Sequence, residues 1–178
     1  MEHSSEFIEL FKKGDHKAFE HIYDTTKKLT YNVIYKMTMD IEESNDIMHD
    51  VYVKIYENKH KYQQIVDLKY WIYRIAVNHT LNVLKKRSIF NKQRSSIGFF
   101  YTKQINNQKN DYEEGPIMAL LLKIKPKYKL PIILKDIENL SYEEISKVLK
   151  INIGTVRSRL NRGRKQLLES YQKEVANE

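Results

Sequence analysis

Leu140 to Leu168 reads L-S-Y-E-E-I-S-K-V-L-K-I-N-I-G-T-V-R-S-R-L-N-R-G-R-K-Q-L-L, and this stretch decides the fold. Ser141 followed three residues later by Glu144 is the pattern of a capping box, in which each side chain satisfies a backbone donor at the start of a helix. Leu140 and Ile145 fall at the two positions of a hydrophobic staple around that box. The spacing predicts a first helix from Tyr142, with Ile145, Val148 and Leu149 on its apolar side. Lys150 to Ile153 has room only for a turn, and Asn152 can cap a second helix. In that helix Val156, Leu160, Gly163 and Leu167 form one stripe at the helical period, which packs inward. The opposite face carries Thr155, Ser158, Asn161, Arg162 and Lys165, flanked by Arg157, Arg159 and Arg164. The segment reads as a helix-turn-helix. Its second helix fits the major groove of B-DNA, where N-terminal outward residues reach base edges and flanking cations meet phosphate. Arg162 is the first candidate for a base contact. The competing reading is a solvated basic helix on some other all-α protein; caps, turn length and charge sidedness agree against it.

Around this stretch, 178 residues suffice for one ordinary domain or two small ones, and five Gly and three Pro leave few turn residues for a sheet. Apolar residues recur at helical spacing, so the expected fold is all-α: two small helical domains joined by a flexible linker. Cysteine is absent, so neither a disulfide framework nor a thiolate metal site is available, which suits a reducing interior. The six His lack metal-ligand spacing, and no Gly-rich phosphate loop or recognisable nucleophile motif occurs. Neither an enzyme nor a metal or cofactor is expected. With no basic-then-apolar leader and no run of about 18 apolar residues, a soluble, unexported chain without a membrane partner is expected.

The net charge of +8 is unevenly placed. Residues 1–84 hold 11 Lys/Arg and 13 Asp/Glu, a net −2; residues 85–116 hold 7 and 3, a net +4; residues 117–178 hold 13 and 7, a net +6. Long-range attraction to a polyanion therefore resides downstream, and the first half needs a more selective surface.

In chain order, a short helix spans Ser4 to Phe11, with Phe7, Ile8, Leu10 and Phe11 apolar, and Lys13-Gly14-Asp15 breaks it. A second runs from about Lys17 to Met37, with Phe19, Ile22, Tyr23, Leu29, Val33 and Ile34 facing a core. Asp40 caps a third through Ile55, whose inward face carries Ile41, Ile47, Val51 and Ile55. The acidic residues at its start suit the helix dipole; they equally fit a docking face for a basic partner, with Asp46, His49 and Asp50 exposed and Tyr52 and Lys54 beside them. Glu57 to Asp67 is a polar connection anchored by Tyr62 and Ile65. From Leu68 to Arg87, Trp71, Ile72, Ile75, Ala76, Leu81 and Leu84 line a buried side. Lys69, Tyr70, Tyr73, Arg74, Asn78 and Asn82 are left for the surface or its edges. Rings among cations and amides suit single-stranded DNA, since rings stack on bases, amides read their edges and cations hold the backbone. Ordinary core is the better reading for Trp71. Periodicity is lost from Lys85 to Gly115, where Ile97, Phe99, Phe100, Tyr101 and Ile105 are more apolar than a free tether needs. Helices over Ile117 to Ile124 and Tyr128 to Ile137 then cradle the helix-turn-helix, with a kink or late start expected at Pro131.

These residues resemble the extracytoplasmic-function branch of bacterial sigma factors, in the sigma-70 family, over nearly the whole chain. Lys13 to Glu20 (K-G-D-H-K-A-F-E) resembles the family's opening, Asn45 to Tyr52 (N-D-I-M-H-D-V-Y) its polymerase-binding helix, and Trp71 to Asn78 (W-I-Y-R-I-A-V-N) its promoter-melting helix. L-S-Y-E-E-I followed by G-T-V-R-S-R-L resembles its terminal helix-turn-helix. The resemblance implies region 2 over residues 1–88, a linker over 89–115 and region 4 over 116–178. It implies a factor that binds core RNA polymerase, through the β′ coiled coil and β flap, and directs promoter-specific initiation. Region 2 would capture the −10 element as single strand through Tyr62, Lys69, Tyr70, Arg74, Asn78 and Asn82. Region 4 would read the −35 element as duplex through Thr155, Ser158, Asn161, Arg162 and Lys165, with Arg157 and Arg159 on phosphate. Asp46, His49, Asp50, Tyr52 and Lys54 would meet polymerase. An anti-sigma factor or other recruiting protein is a further partner that this reading leaves open. The implied setting is the bacterial cytoplasm, at the nucleoid. His49 stands where the family has Gln, and Y-Q-Q-I-V-D-L-K-Y differs from the Gly- and Ser-containing family loop. The alternative function is a stand-alone helix-turn-helix regulator with an N-terminal sensing or dimerisation domain.

Overall fold

The structure, a computed structural model, describes residues 4–63, 67–95 and 116–176. Among them every regular element is helical, as expected. The first unit comprises α1 (Ser5–Lys13), α2 (His16–Thr38), α3 (Ile41–Asn58) and α4 (Leu68–Ser95), with a 3-10 turn at Lys59–Lys61. The second comprises α5 (Pro116–Lys123), α6 (Pro126–Ile132), α7 (Tyr142–Leu149) and α8 (Ile153–Val175), with a π turn at Ile133–Ile137.

Local chemistry sets these boundaries. Gly14 ends α1 in the left-handed region at φ 87°, and Asp15 at once caps α2 by accepting from the Ala18 N–H at 2.9 Å. Asp40 caps α3 through the Glu43 N–H at 3.0 Å. Each of these carboxylates satisfies a donor that the helix itself leaves unpaired. Helices α2, α3 and α4 pack against one another, with Ile22, Ile34, Met37, Val51, Ile55, Ile72 and Ala76 at 2% exposure or less. Burying an aliphatic side chain this completely is worth about 1.5–3 kcal/mol. Trp71 is half-buried, edge-on to Phe11 at 6.5 Å and tilted against Tyr62 at 5.5 Å, so it packs as core.

Four expectations change. Leu10, Tyr23 and Ile41 point outward, because α1, α2 and α3 bury narrower stripes than their apolar content suggested. Helix α4 continues to Ser95 instead of giving way to linker after residue 88. Pro131 lies inside α6, which starts at Pro126 and widens directly afterwards into the π turn, closed by Glu138 N–H to Ile133 O at 3.0 Å. Tyr70 and Tyr73, expected at the surface, are buried, Tyr70 where it meets Glu144 of α7 in the second unit and Tyr73 in the hydrophobic core. Ile65 and the linker residues Ile97, Phe99, Phe100, Tyr101 and Ile105 lie outside the described residues.

Candidate nucleic-acid interface

The helix-turn-helix forms as its caps dictate. Ser141 Oγ accepts from the Glu144 N–H at 3.1 Å, and the Glu144 carboxylate accepts from the Ser141 N–H at 2.7 Å. Leu140 and Ile145, the staple pair, are both buried. Lys150 closes α7 at φ 52°, Ser146 Oγ donates to Ile151 O at 2.6 Å, and Asn152 Oδ1 accepts from the Thr155 N–H at 2.7 Å to open α8. Val156, Leu160 and Gly163 are buried against the second unit. A Cβ on Gly163 would meet Ile132 and Tyr128, so glycine is what lets α8 lie this close to α6.

The other side of α8 is open. Arg157, Ser158, Asn161, Arg162 and Lys165 are exposed, and Thr155 and Arg159 are half-buried. No carboxylate occurs in α8 before Glu169, so four cations share a face with nothing acidic on its first four turns. The Arg162 guanidinium, together with Lys127, holds the Tyr128 phenol below its ordinary pKa. Arg164 is different: it forks onto Asp136 at 2.5 and 3.0 Å, which raises its own pKa and fastens α8 to the π turn. A bidentate pair of this kind is a fixture more than a free donor.

In the first unit, Asn78 and Asn82 are exposed on α4. Tyr62 is buried beneath Trp71, an anchor rather than an open stacking platform. Tyr70 and Arg74 meet α7, and Lys69, its side chain 40% exposed, stands at the edge of that contact. The Tyr70 hydroxyl donates to the Glu144 carboxylate, Lys69 Nζ sits 4.0 Å from that carboxylate, and Arg74 donates to Lys147 O at 2.7 Å. Burial, then the Glu144 contact, pushes the Tyr70 phenol up; burial alone lowers the Arg74 pKa, and its Nε is buried without a partner.

On α3, Asp46 and His49 are exposed, Asp50 is exposed with its carboxylate 3.1 Å from His79 Nε2, and Lys54 is half-buried. Tyr52, expected beside them at the surface, is instead 6% exposed, its hydroxyl 2.8 Å from Thr26 Oγ1 and donating to Thr30 Oγ1 at 3.4 Å. It sits one residue from the acidic face on the inward turn of the same helix. Burial pushes this phenol up. Sequence reasoning missed Val53 and Tyr56, both exposed at helical spacing from Asp46 and Asp50. The omitted signal was that spacing, which extends the acidic face into an apolar one. Among the described residues no helix is long and apolar enough to cross a membrane, and no cluster of three or more metal-ligating side chains forms.

The comparisons agree on one lineage. The family models of Sigma-70 region 2 and Sigma-70 region 4 match residues 22–89 and 114–167. The ECF RNA polymerase sigma factor SigW of Bacillus subtilis is 31% identical over 173 residues, covering 90% of this chain and 92% of that protein. The ECF RNA polymerase sigma-E factor of Escherichia coli is 27% identical over 176 residues, covering 90% of each. The sigma factor RpoE from Bartonella quintana, solved in complex with the anti-sigma factor NepR, has the same fold at TM-score 0.69 and 20% identity, covering 88% of this chain and 98% of that one. A helix-turn-helix with a cationic outer face, a separate unit carrying exposed amides on a long helix, and both regional matches in this order have one meaning: the chain belongs to the extracytoplasmic-function branch of the sigma-70 family of sigma factors.

Proposed function

We propose that this promoter-directing factor divides its labour between three faces. Region 4 reads the −35 element as intact duplex through Thr155, Ser158, Asn161, Arg162 and Lys165, with Arg157 and Arg159 on the phosphates. Region 2 holds the unstacked −10 strand through the exposed amides of Asn78 and Asn82, with Lys69, Tyr70 and Arg74 joining once uncovered. Asp46, His49 and Asp50, extended by Val53 and Tyr56, meet the basic β′ coiled coil of core polymerase, and region 4 meets the β flap. Catalysis belongs to the polymerase; sigma factors are not an enzyme family, and this chain supplies binding alone. Its place is the bacterial cytoplasm, on the nucleoid. Regions 2 and 4 are assigned to residues 1–88 and 116–178, with α4 carrying region 2 on to Ser95 before the linker.

The observation that carries this reading is the outer face of α8: four cations, two small hydroxyls and one amide, free of carboxylate, on a helix whose start is fixed by Asn152. Such a face gives register through phosphates and sequence through base edges. Run-off transcription with purified core polymerase over a genomic fragment library tests it. Transcripts with discrete starts should arise only when the chain is added. Recognition of an operator by the chain alone, with no effect on polymerase, would sink the reading in favour of a stand-alone regulator.

A further inference from the structure

Within the first unit, the acidic helix α3 is tied to α4 by two ion pairs of unlike character. Glu43 Oε2 accepts from the Arg87 guanidinium at 2.7 Å, with the glutamate side chain 19% exposed. Arginine is charged at every pH a protein meets, so this carboxylate is permanently engaged. Two turns on, the Asp50 carboxylate lies 3.1 Å from His79 Nε2. Here the imidazole is 14% exposed, held against α3, whereas the aspartate is 58% exposed and turned outward. An ionised carboxylate only accepts, so Nε2 carries the hydrogen, which fixes the neutral tautomer.

The difference between the two partners matters because Asp50 belongs to the face assigned to polymerase. A basic partner meets there two exposed carboxylates one turn apart, Asp46 and Asp50. While His79 is neutral, its N–H orients the Asp50 carboxylate and leaves the full negative charge for the partner. Once His79 is protonated, the pair is neutral as a whole, and the partner's cation competes with an imidazolium already in place. Histidine is the side chain whose ordinary charge change falls between pH 5 and 8. We infer that His79 is a positioning residue for polymerase capture, which sets through one hydrogen bond how much of the Asp50 charge the docking face presents. This inference rests on the assignment of that face to polymerase.

The surroundings of the imidazole are simple. Helix α4 packs on α2, α3 and α7. The buried residues of α2 include no titratable side chain. Tyr52 of α3 and Tyr73 of α4 are phenols that burial pushes up, so both are uncharged in this range. The charged neighbours of Asp50 along α3 are Asp46 and Lys54, one turn to either side, and the nearest cations along α4, Arg74 and Lys85, are five and six residues from His79. On α7, Glu144 and Lys147 meet Tyr70 and Arg74, more than one turn nearer the start of α4. His49, exposed beside Asp50, titrates in the same range and is removed in the test.

The test measures equilibrium binding of purified core polymerase to the full chain, labelled on a cysteine introduced at Lys173, from pH 8 to pH 6 at fixed ionic strength. The parent chain carries His49→Gln. Groups of the polymerase titrate alike for every variant, so the comparison between variants carries the result. The parent should lose about three- to fivefold in affinity across this range, the scale of one exposed charge pair. His79→Gln, whose amide can donate to Asp50 without charge, should bind as the parent does at pH 8 and lose the slope. His79→Lys, a permanent cation, should bind at pH 8 as weakly as the parent does at pH 6. A parent-like slope in His79→Gln, weak binding by that variant at every pH, or His79→Lys binding as tightly as the parent at pH 8 would each overturn the inference. Asp46→Lys separates this from failure of the docking face. If it binds as the parent does, polymerase does not meet α3 and the role of His79 falls with that assignment. If it binds weakly while the other three profiles coincide, the face stands and the role of His79 alone fails.

Discussion

A Cβ placed on Gly163 would stand 3.0 Å from the carbonyl oxygen of Tyr128 and 2.8 Å from Ile132 Cδ1. The isoleucine methyl can swing aside; a backbone carbonyl cannot. Helix propensity favours Ala over Gly by about 1 kcal/mol, but overpacking a close helix contact costs about 1–3 kcal/mol. Gly163→Ala should therefore destabilise the second unit, seen as a lower Tm of the full chain. A raised Tm would mean that α6 and α8 do not approach this closely.

Arg162 stands on the third turn of α8, exposed, with its positive charge felt by the Tyr128 phenol. Its flat fork matches the two acceptors that guanine offers in the major groove. Arg162→Ala should cost about 1–3 kcal/mol at one base pair of the −35 element and relax the preference there. Selection of promoter variants by holoenzyme reads this directly, and an unaltered preference at every position would remove Arg162 from the reading face.

Asn78 is exposed two turns beyond Tyr70 and Trp71 on α4. If its amide holds a strand base, Asn78→Ala should leave closed-complex formation near wild type and reduce promoter opening about tenfold, the weight of one or two lost hydrogen bonds. Permanganate reactivity of promoter thymines separates the two steps. Equal footprints would return Asn78 to an ordinary solvated position.

Asp46 is the clean test of the docking face, because Asp50 also contacts His79 and reversing it would disturb α4. Asp46→Lys places like charge against a basic partner and should weaken capture by core polymerase about tenfold or more. Co-purification at fixed salt measures it; full retention would reduce the acidic start of α3 to a helix-dipole effect.

The local devices were legible in the sequence because each is written within a few residues. Ser141 with Glu144, Asn152 with Thr155 and Asp40 with Glu43 are short-range bonds that any reader of caps can place. The outer face of α8 was legible for the same reason, since periodicity alone sorts Val156 and Leu160 from Arg157 and Asn161. What escaped was set by partners far away in the chain. Tyr70 looks like a surface residue until Glu144 of α7, about seventy positions on, meets it. Tyr52 has the pattern of an exposed aromatic, and only the hydroxyls of Thr26 and Thr30 make its burial tolerable. No local pattern marks Lys36 for Glu138.

Glu144 gives the contact between α4 and α7 a dependence on acidity whose direction can be worked out. Burial alone would raise its pKa, but the hydrogen bonds from Tyr70 and Ser141, with Lys69 nearby, outweigh burial and leave it below the ordinary value of 4.5. A carboxyl whose folded pKa is depressed contributes stability that is fully present above the unfolded value and is lost as pH falls through the folded one. The Tyr70 phenol, pushed upward, stays protonated throughout that range. Energy transfer between dyes on cysteines introduced at Glu20 in the first unit and Lys173 in the second, in a chain with no cysteine of its own, should accordingly be constant from neutrality down to about pH 4.5 and then decline on further acidification. Glu144→Gln keeps one carbonyl acceptor, which can serve the Ser141 N–H so that α7 remains capped, while its NH2 faces the Tyr70 hydroxyl; the acid decline attributable to this position should vanish. If the profile of Glu144→Gln overlays that of the wild type, the decline belongs to other carboxylates and Glu144 does not hold the units together.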